Sequence, residues 1–531
     1  MTRLLHLLTA ALLPFALLVG LAAGPFAADA SAQKLASKPY EDTAHGFRFK
    51  PLDGYSGVPA QPDDTSGLVT QMVSGANELH VYALVDEQAP TRKERDGRST
   101  AGKRRRDIAA VLAGTIGGFA AVADKPELDD EVKAKDLTGR RRLWTVRDWY
   151  VEAWTYTLPH ADIALVYISE KQRFDKRWRA TVDASGKSFQ AIARKENSAG
   201  ALGTDATYEE QLARAAEDAA KTPGWRAEPT PSKKFIIVTN CQKAPFVKEV
   251  VKRLEGARLI FEADYPPPPS FNAVSIVRIC ANEDEFHRYG NTGGGVAGWF
   301  SPDTTELVLY DAVNIDRNMT YAVVVHESFH QYCHFLFDQA EAHRWFDEGH
   351  GDYYGGLEFK GSRPKITTQM PGGLDRLTEL RELVREGTYK PIAEHVNYDH
   401  RQWQTQGPTG VSCYAQSWGL VYYLRQGAEG KVPRKVWRPE YAEIIPNYVR
   451  VLAEGYRKAF DEIIERRRER AEKRKEDPAE VDLRVSRREL LLGFGPQKQA
   501  EIWSAAMQAS WGQIDLAQFE RDWPAFVRDV L

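Results

Sequence analysis

The chain has 531 residues, 71 basic and 74 acidic side chains, and a formal net charge of −3. A balance this even gives no electrostatic case for a nucleic-acid or anionic-membrane partner. With 43% hydrophobic residues the composition is that of a globular protein, and the length calls for two compact domains rather than one.

The first thirty residues read as a secretory signal peptide. Arg3 precedes an apolar run from Leu4 to Ala23, and small residues at Ala28, Ala30 and Ala32 supply A-x-A cleavage patterns. No cysteine follows the run at the position a lipid anchor needs, so the expectation is a secreted or periplasmic protein. The next longest apolar stretch, Ile108 to Ala123, is too short and glycine-rich to span a bilayer and is expected to be a packed helix.

Residues 38–195 form the first expected domain. Strands are predicted at Gly46 to Pro51, Leu79 to Val85, Leu143 to Val146, Val151 to Leu158 and Ile163 to Ser169. A closing helix presents Phe174, Trp178, Val182, Phe189 and Ile192 on one face. This is an α+β domain on an antiparallel sheet, without a clustered His, Cys or carboxylate set, and it resembles the small sandwich of the photosystem-P type. A linker is expected at 196–231, rich in Ala, Gly, Thr, Pro and charge, with one polar helix in it.

The second domain, 232–531, opens with FIIVTN, a helix through Val250 and Leu254, and VSIVRIC, a small α/β unit. A Gly-rich turn leads into a short strand at GWFS and a strand from Glu306 to Ala312. Beyond these the pattern is mainly helical. Asp461 to Asp477 interleaves acids and bases and reads as a solvated helix, and the closing LAQFERDWPAFVRDVL docks Phe519, Trp523 and Phe526. Four cysteines in an exported chain allow disulfides. Cys241 with Cys280 and Cys333 with Cys413 are the expected pairs, with free buried thiols as the alternative.

Two segments carry chemistry. HESFH spans His326 to His330 and DEGHGD spans Asp347 to Asp352. On a helix, His326 and His330 lie one turn apart on one face and can grip a single metal ion, with Glu327 in reach of a water on that metal as general base. The β-branched run Val323 to Val325 gives the helix a core-facing lead-in. Catalytic zinc usually has three protein ligands. Glu348, eighteen positions after His330, is the best third, with Asp347, His343 and His350 as rivals. His334 sits too far along the same helix to converge with both other histidines.

The order of these pieces resembles the gluzincin metallopeptidases, in which an HExxH helix is followed by a helix supplying a glutamate. The metzincin pattern, which needs glycine at Cys333 and histidine at Leu336, is absent. The resemblance implies that Asp352 hydrogen-bonds a ligand histidine and fixes its tautomer. It also implies that the strands before the HESFH helix can offer an edge to an extended peptide. In SCYAQSWGLVYYL the run from Tyr414 to Trp418 is similar to that of secreted peptidase-MA-like proteins, making Tyr414 the candidate oxyanion donor, with His395 and His400 in reserve. The expected activity is zinc-dependent hydrolysis of peptide bonds in a peptide or protein substrate. Two other readings stay open: an exported zinc-binding scaffold, and a zinc amidase acting on cell-wall crosslinks.

Overall fold

The computed structural model describes residues 34–62, 64–75, 77–87, 104–105, 107–173, 176–194, 206–267, 273–290, 296–314, 316–360, 364–368, 375–405, 411–476 and 487–531. The expected signal peptide, residues 1–30, lies outside them, as does Phe174. The fold is α+β: a sheet-rich N-terminal unit and a mostly helical C-terminal one. The chain divides into Met1–Ala60 with Asp64–Asn197, and Gln61–Asp63 with Ser198–Leu531.

The first unit is built on an antiparallel sheet. Its strands run in the order Ser56–Pro59, Leu68–Ser74, Asn77–Glu87, Ala161–Glu170, Trp149–Thr157, Leu137–Val146 and Leu128–Ala134. Side chains of a strand alternate between faces, and here both faces are covered. Ile163, Leu165 and Tyr167 pack with Trp178 and Val182 of the helix Lys176–Lys187, while Ala164, Val166 and Ile168 pack with Ile108, Leu112 and Phe119. Among the described residues six strands, Tyr40–Asp42, Ser56–Pro59, Leu68–Ser74, Arg104–Arg105, Leu128–Ala134 and Gln190–Ala191, are additions to those read from the sequence.

The second unit begins inside the stretch expected as a linker. The helix Tyr208–Ala220 lies there, and Arg226–Pro229 is the outermost strand of a five-stranded sheet. Next come Phe235–Thr239, Ser275–Cys280 and Glu306–Tyr310, mutually parallel, and then Gly298–Ser301, antiparallel at the other edge. The helix Ala244–Asp264 makes the crossover. Phe246, Val250 and Leu254 cover Phe235, Ile237, Val277, Ile279, Leu307 and Leu309, and Val324 completes this layer from the HESFH helix, Arg317–Leu336.

Two features fix where that helix starts. Asp316 caps it, accepting from the Asn318 N–H at 2.8 Å. Just after the strand Glu306–Tyr310, the buried Asp311 takes both Arg317 Nε and Nη2 at 2.9 Å and Lys243 at 3.0 Å. The helix is therefore clamped to the end of the sheet before it reaches its polar residues. The rest of the unit packs around Phe329, Trp345, Phe346, Trp418, Tyr448 and Trp523. Among the described residues no helix is long and apolar enough to cross a membrane.

The expected disulfides are corrected: all four cysteines are free and buried. Cys241 packs with Phe246 and Val250, whereas Cys280 shares a strand face with Arg278 two residues earlier, the opposite side of the sheet. The Cys333 thiol faces Asp347, and Cys413 packs against Tyr398 and Trp403. An even cysteine count in an exported chain suggested the pairs; the facing of each side chain rules them out and leaves the alternative of free buried thiols.

Candidate metal centre

The HESFH helix turns Phe329 and Val325 into the core and leaves His326, Glu327 and His330 on its cleft side. Across from it runs the DEGHGD helix, Arg344–Gly355. This second helix can come close because two of its glycines are hemmed in on different sides. A Cβ at Gly351 would lie 2.8 Å from Cε1 and 2.9 Å from Nδ1 of His326, and one at Gly349 would lie 2.7 Å from the Ser417 carbonyl oxygen of the helix Val411–Ala428. The glycines are what let three carboxylates of one helix reach two imidazoles of another.

Each imidazole is held at one nitrogen and aimed with the other. Nδ1 of His326 lies 3.0 Å from Asp352, and Nδ1 of His330 lies 2.7 Å from Asp347. The two Nε2 atoms converge, 2.9 Å apart, and Glu348 Oε2 stands 3.3 Å from the first and 3.4 Å from the second. Donors about 2.0 to 2.1 Å from a tetrahedral ion are separated by roughly 3.4 Å. The two sides of the triangle that end on the carboxylate oxygen match that separation, and the Nε2–Nε2 side, at 2.9 Å, is shorter, so the three atoms surround a gap of about an ion's size. His326, Glu327 and His330 also form a group whose potential ligand atoms all lie within 4.8 Å of one another. Glu348 is the better placed candidate for a third ligand, because Glu327 accepts the Phe300 N–H at 2.9 Å and is thereby tied to the strand Gly298–Ser301.

Charge at the site follows from these contacts. Burial disfavours the imidazolium of His326, yet hydrogen bonds to Asp352 and Glu348 outweigh it and push the pKa up to about 9. His330 is likewise raised, with Asp347 and Glu348 overcoming burial. Glu348 is held well below the carboxylate range because His330 and His326 outweigh its burial. The pocket between the Nε2 atoms thus favours positive charge. Glu327 goes the other way: burial raises it, against the pull of the two histidines. A carboxyl moved up toward neutrality suits a general base.

No protein-family model matches the chain, and no curated protein matches it. Among solved structures the chain is similar to the cyanobacterial PsbP (CyanoP) of Synechocystis sp. PCC 6803, at 15% identity and a TM-score of 0.21, over 32% of this chain and 98% of that one.

The remaining candidates fall into place around the ion-sized gap. Tyr414 lines the same cleft of about 250 Å³ as His326, Glu327, His330 and Glu348, and its hydroxyl is raised first by the charge of Glu348 and then by burial. His350 points away, donating Nδ1–H to the Phe346 carbonyl at 2.7 Å and accepting from the Tyr265 hydroxyl. His343 bonds Tyr448 at 2.9 Å, and His395 is buried on Ser417 at 2.7 Å. His334 packs edge-on against Phe300. His400 pairs with Arg344. None of these five joins the triangle.

Three contributors carry roles that the sequence did not assign. Asp347, weighed as a rival ligand, instead orients His330. Arg344 Nη1 donates to Glu348 Oε1 at 3.1 Å, and Arg376 Nε donates to Asp352 Oδ2 at 2.7 Å while its guanidinium lies 5.0 Å from the Tyr414 ring centroid. The Arg344 contact has a local signal, a spacing of four on one helix. Arg376 has none, being 24 positions from its partner.

Proposed function

We propose that this chain is an exported zinc-dependent hydrolase of peptide bonds, of the gluzincin type. The observation that carries the reading is the convergence of the two Nε2 atoms and Glu348 Oε2 beside Glu327 in one cleft. His326, His330 and Glu348 would hold the ion. A zinc ion bound there would polarise the substrate carbonyl and bring the pKa of a water down toward about 7.

The protein's own groups do the rest. Glu327, anchored at one oxygen by the Phe300 N–H, takes the proton of the attacking water and returns it to the leaving amine. Its raised pKa makes it the stronger base for the first of these transfers. Tyr414 donates its hydroxyl to the oxygen that gains charge. Asp352 and Asp347 keep both imidazoles in the tautomer that bares Nε2. An extended substrate would lie along Gly298–Ser301, an edge strand of the sheet. The leader-like residues 1–30 supply the export reading.

The test is zinc analysis of the full purified chain followed by cleavage of a peptide library, with Glu327→Gln alongside. Stoichiometric zinc and cleavage abolished in the variant support the reading. Zinc uptake with no cleavage in either protein would leave a binding scaffold.

A further inference from the structure

Glu348 shows an asymmetry between its two oxygens. Oε2 faces both Nε2 atoms at 3.3 and 3.4 Å, whereas Oε1 accepts from Arg344 Nη1 at 3.1 Å. The other arm of the same guanidinium is held by Nδ1 of His400, so the fork is fixed from both sides. Its neighbours Asp347 and Glu341 add further attraction.

Helix stability does not account for an arginine at this position. Arg344 opens its helix, where a cation meets the positive end of the helix dipole. A base placed four residues before an acid is also the less favourable order for such a pair. What the arginine does achieve is to occupy the oxygen that the ion would not need. A carboxylate binding through both oxygens, together with two imidazoles, would already present four donor atoms, so that water or substrate could enter only as a crowded fifth ligand.

We propose that Arg344 is a positioning residue that confines Glu348 to one-oxygen metal binding and so keeps the fourth position open. The proposal rests on the reading of His326, His330 and Glu348 as the ligand set. Arginine suits the task better than a point charge because its planar fork bonds Glu348 and His400 at once.

Cobalt(II) titration of the full chain tests it, since visible absorption by cobalt is intense in four-coordinate sites and several-fold weaker in five-coordinate ones. Apo melting curves report folding. Wild type is expected to give the intense spectrum, and Arg344→Ala and Arg344→Gln the weak one, with kcat on a cleaved peptide down about tenfold at unchanged KM. Arg344→Lys, which keeps a cation within reach of Glu348, is expected to restore most of the absorption. If the alanine variant fails to fold, the glutamine variant takes its place. Wild-type absorption in the neutral variants overturns the role of Arg344, and so does a lysine variant no different from them. Failure of the ligand set looks different: wild type takes up no stoichiometric cobalt, or Glu348→Gln leaves the spectrum unchanged.

Discussion

Gly351 and His326 sit in a contact that admits no side chain: a Cβ built on the glycine would come within 3.0 Å of three atoms of the imidazole ring. The ring is the less movable partner sterically and the more consequential one chemically, because its Nδ1 is bonded to Asp352 and its Nε2 faces Glu348 Oε2. Gly351→Ala is therefore expected to tilt His326 and weaken zinc binding about 10- to 100-fold, with about 1–3 kcal/mol lost from apo stability by overpacking. Chelator competition and urea unfolding read the two effects. Unchanged zinc affinity would show that the ring does not ligate.

Glu327→Gln keeps the shape of the side chain and removes its basicity. Turnover is expected to fall about 10²- to 10⁴-fold, the range for loss of a general base, while zinc stoichiometry and melting temperature stay at wild-type values. A variant with a normal rate would take Glu327 out of the mechanism.

Tyr414→Phe separates oxyanion stabilisation from binding. If the hydroxyl meets charge that exists only in the transition state, kcat falls about 10²- to 10³-fold with little change in KM. A rise in KM alone would instead assign Tyr414 to substrate contact.

Asp352 serves His326 on one side and Arg376 on the other, and both partners are largely buried. Asp352→Ala is expected to weaken zinc binding about 10- to 100-fold and to cost up to about 3–5 kcal/mol of stability, because Arg376 loses its nearest partner and keeps only Glu379, 3.5 Å away. Adding Arg376→Leu should recover much of the stability and none of the zinc affinity. Recovery of both would mean that Asp352 acts on the metal site only through the fold.

Acid lability follows from His343 and His395, whose pKa values burial lowers from 6.5 to about 3. A depressed folded-state pKa means that the unfolded chain binds the extra protons between those two values. The stabilising contribution is complete above pH 6.5 and is lost as pH falls toward 3. Urea midpoints of metal-free protein should drop steadily from pH 7 to pH 4.5. The slope should flatten in His343→Gln, which keeps a hydrogen-bonding group beside Tyr448. Midpoints that stay level over that window would mean the two imidazoles are not held neutral.

Local geometry made one part of the site legible from the sequence. His326 and His330 had to share a helix face because four residues make about one turn, and the VVV run had to bury the other side; neither depends on anything beyond the helix itself. The faces of the central strand Ala161–Glu170 follow equally from a period of two. The position of Glu348 came through resemblance, since a separation of eighteen positions along the chain sets no distance in space.

Tertiary structure alone decided the remainder. Whether Asp347 ligates or orients, which oxygen of Glu348 meets the imidazoles, and that Arg376 reaches Asp352 all depend on how closely two helices approach and at what rotation. The clearances at Gly349 and Gly351 control that approach. The four cysteines make the same point in the negative: their even count allowed two bridges, and the packing of each side chain into a different surrounding left every thiol free. A sequence states which groups are available and, over one turn or one strand, which way they face. Longer-range facing is fixed by side-chain packing between elements, and that is where the three donors were brought to one point.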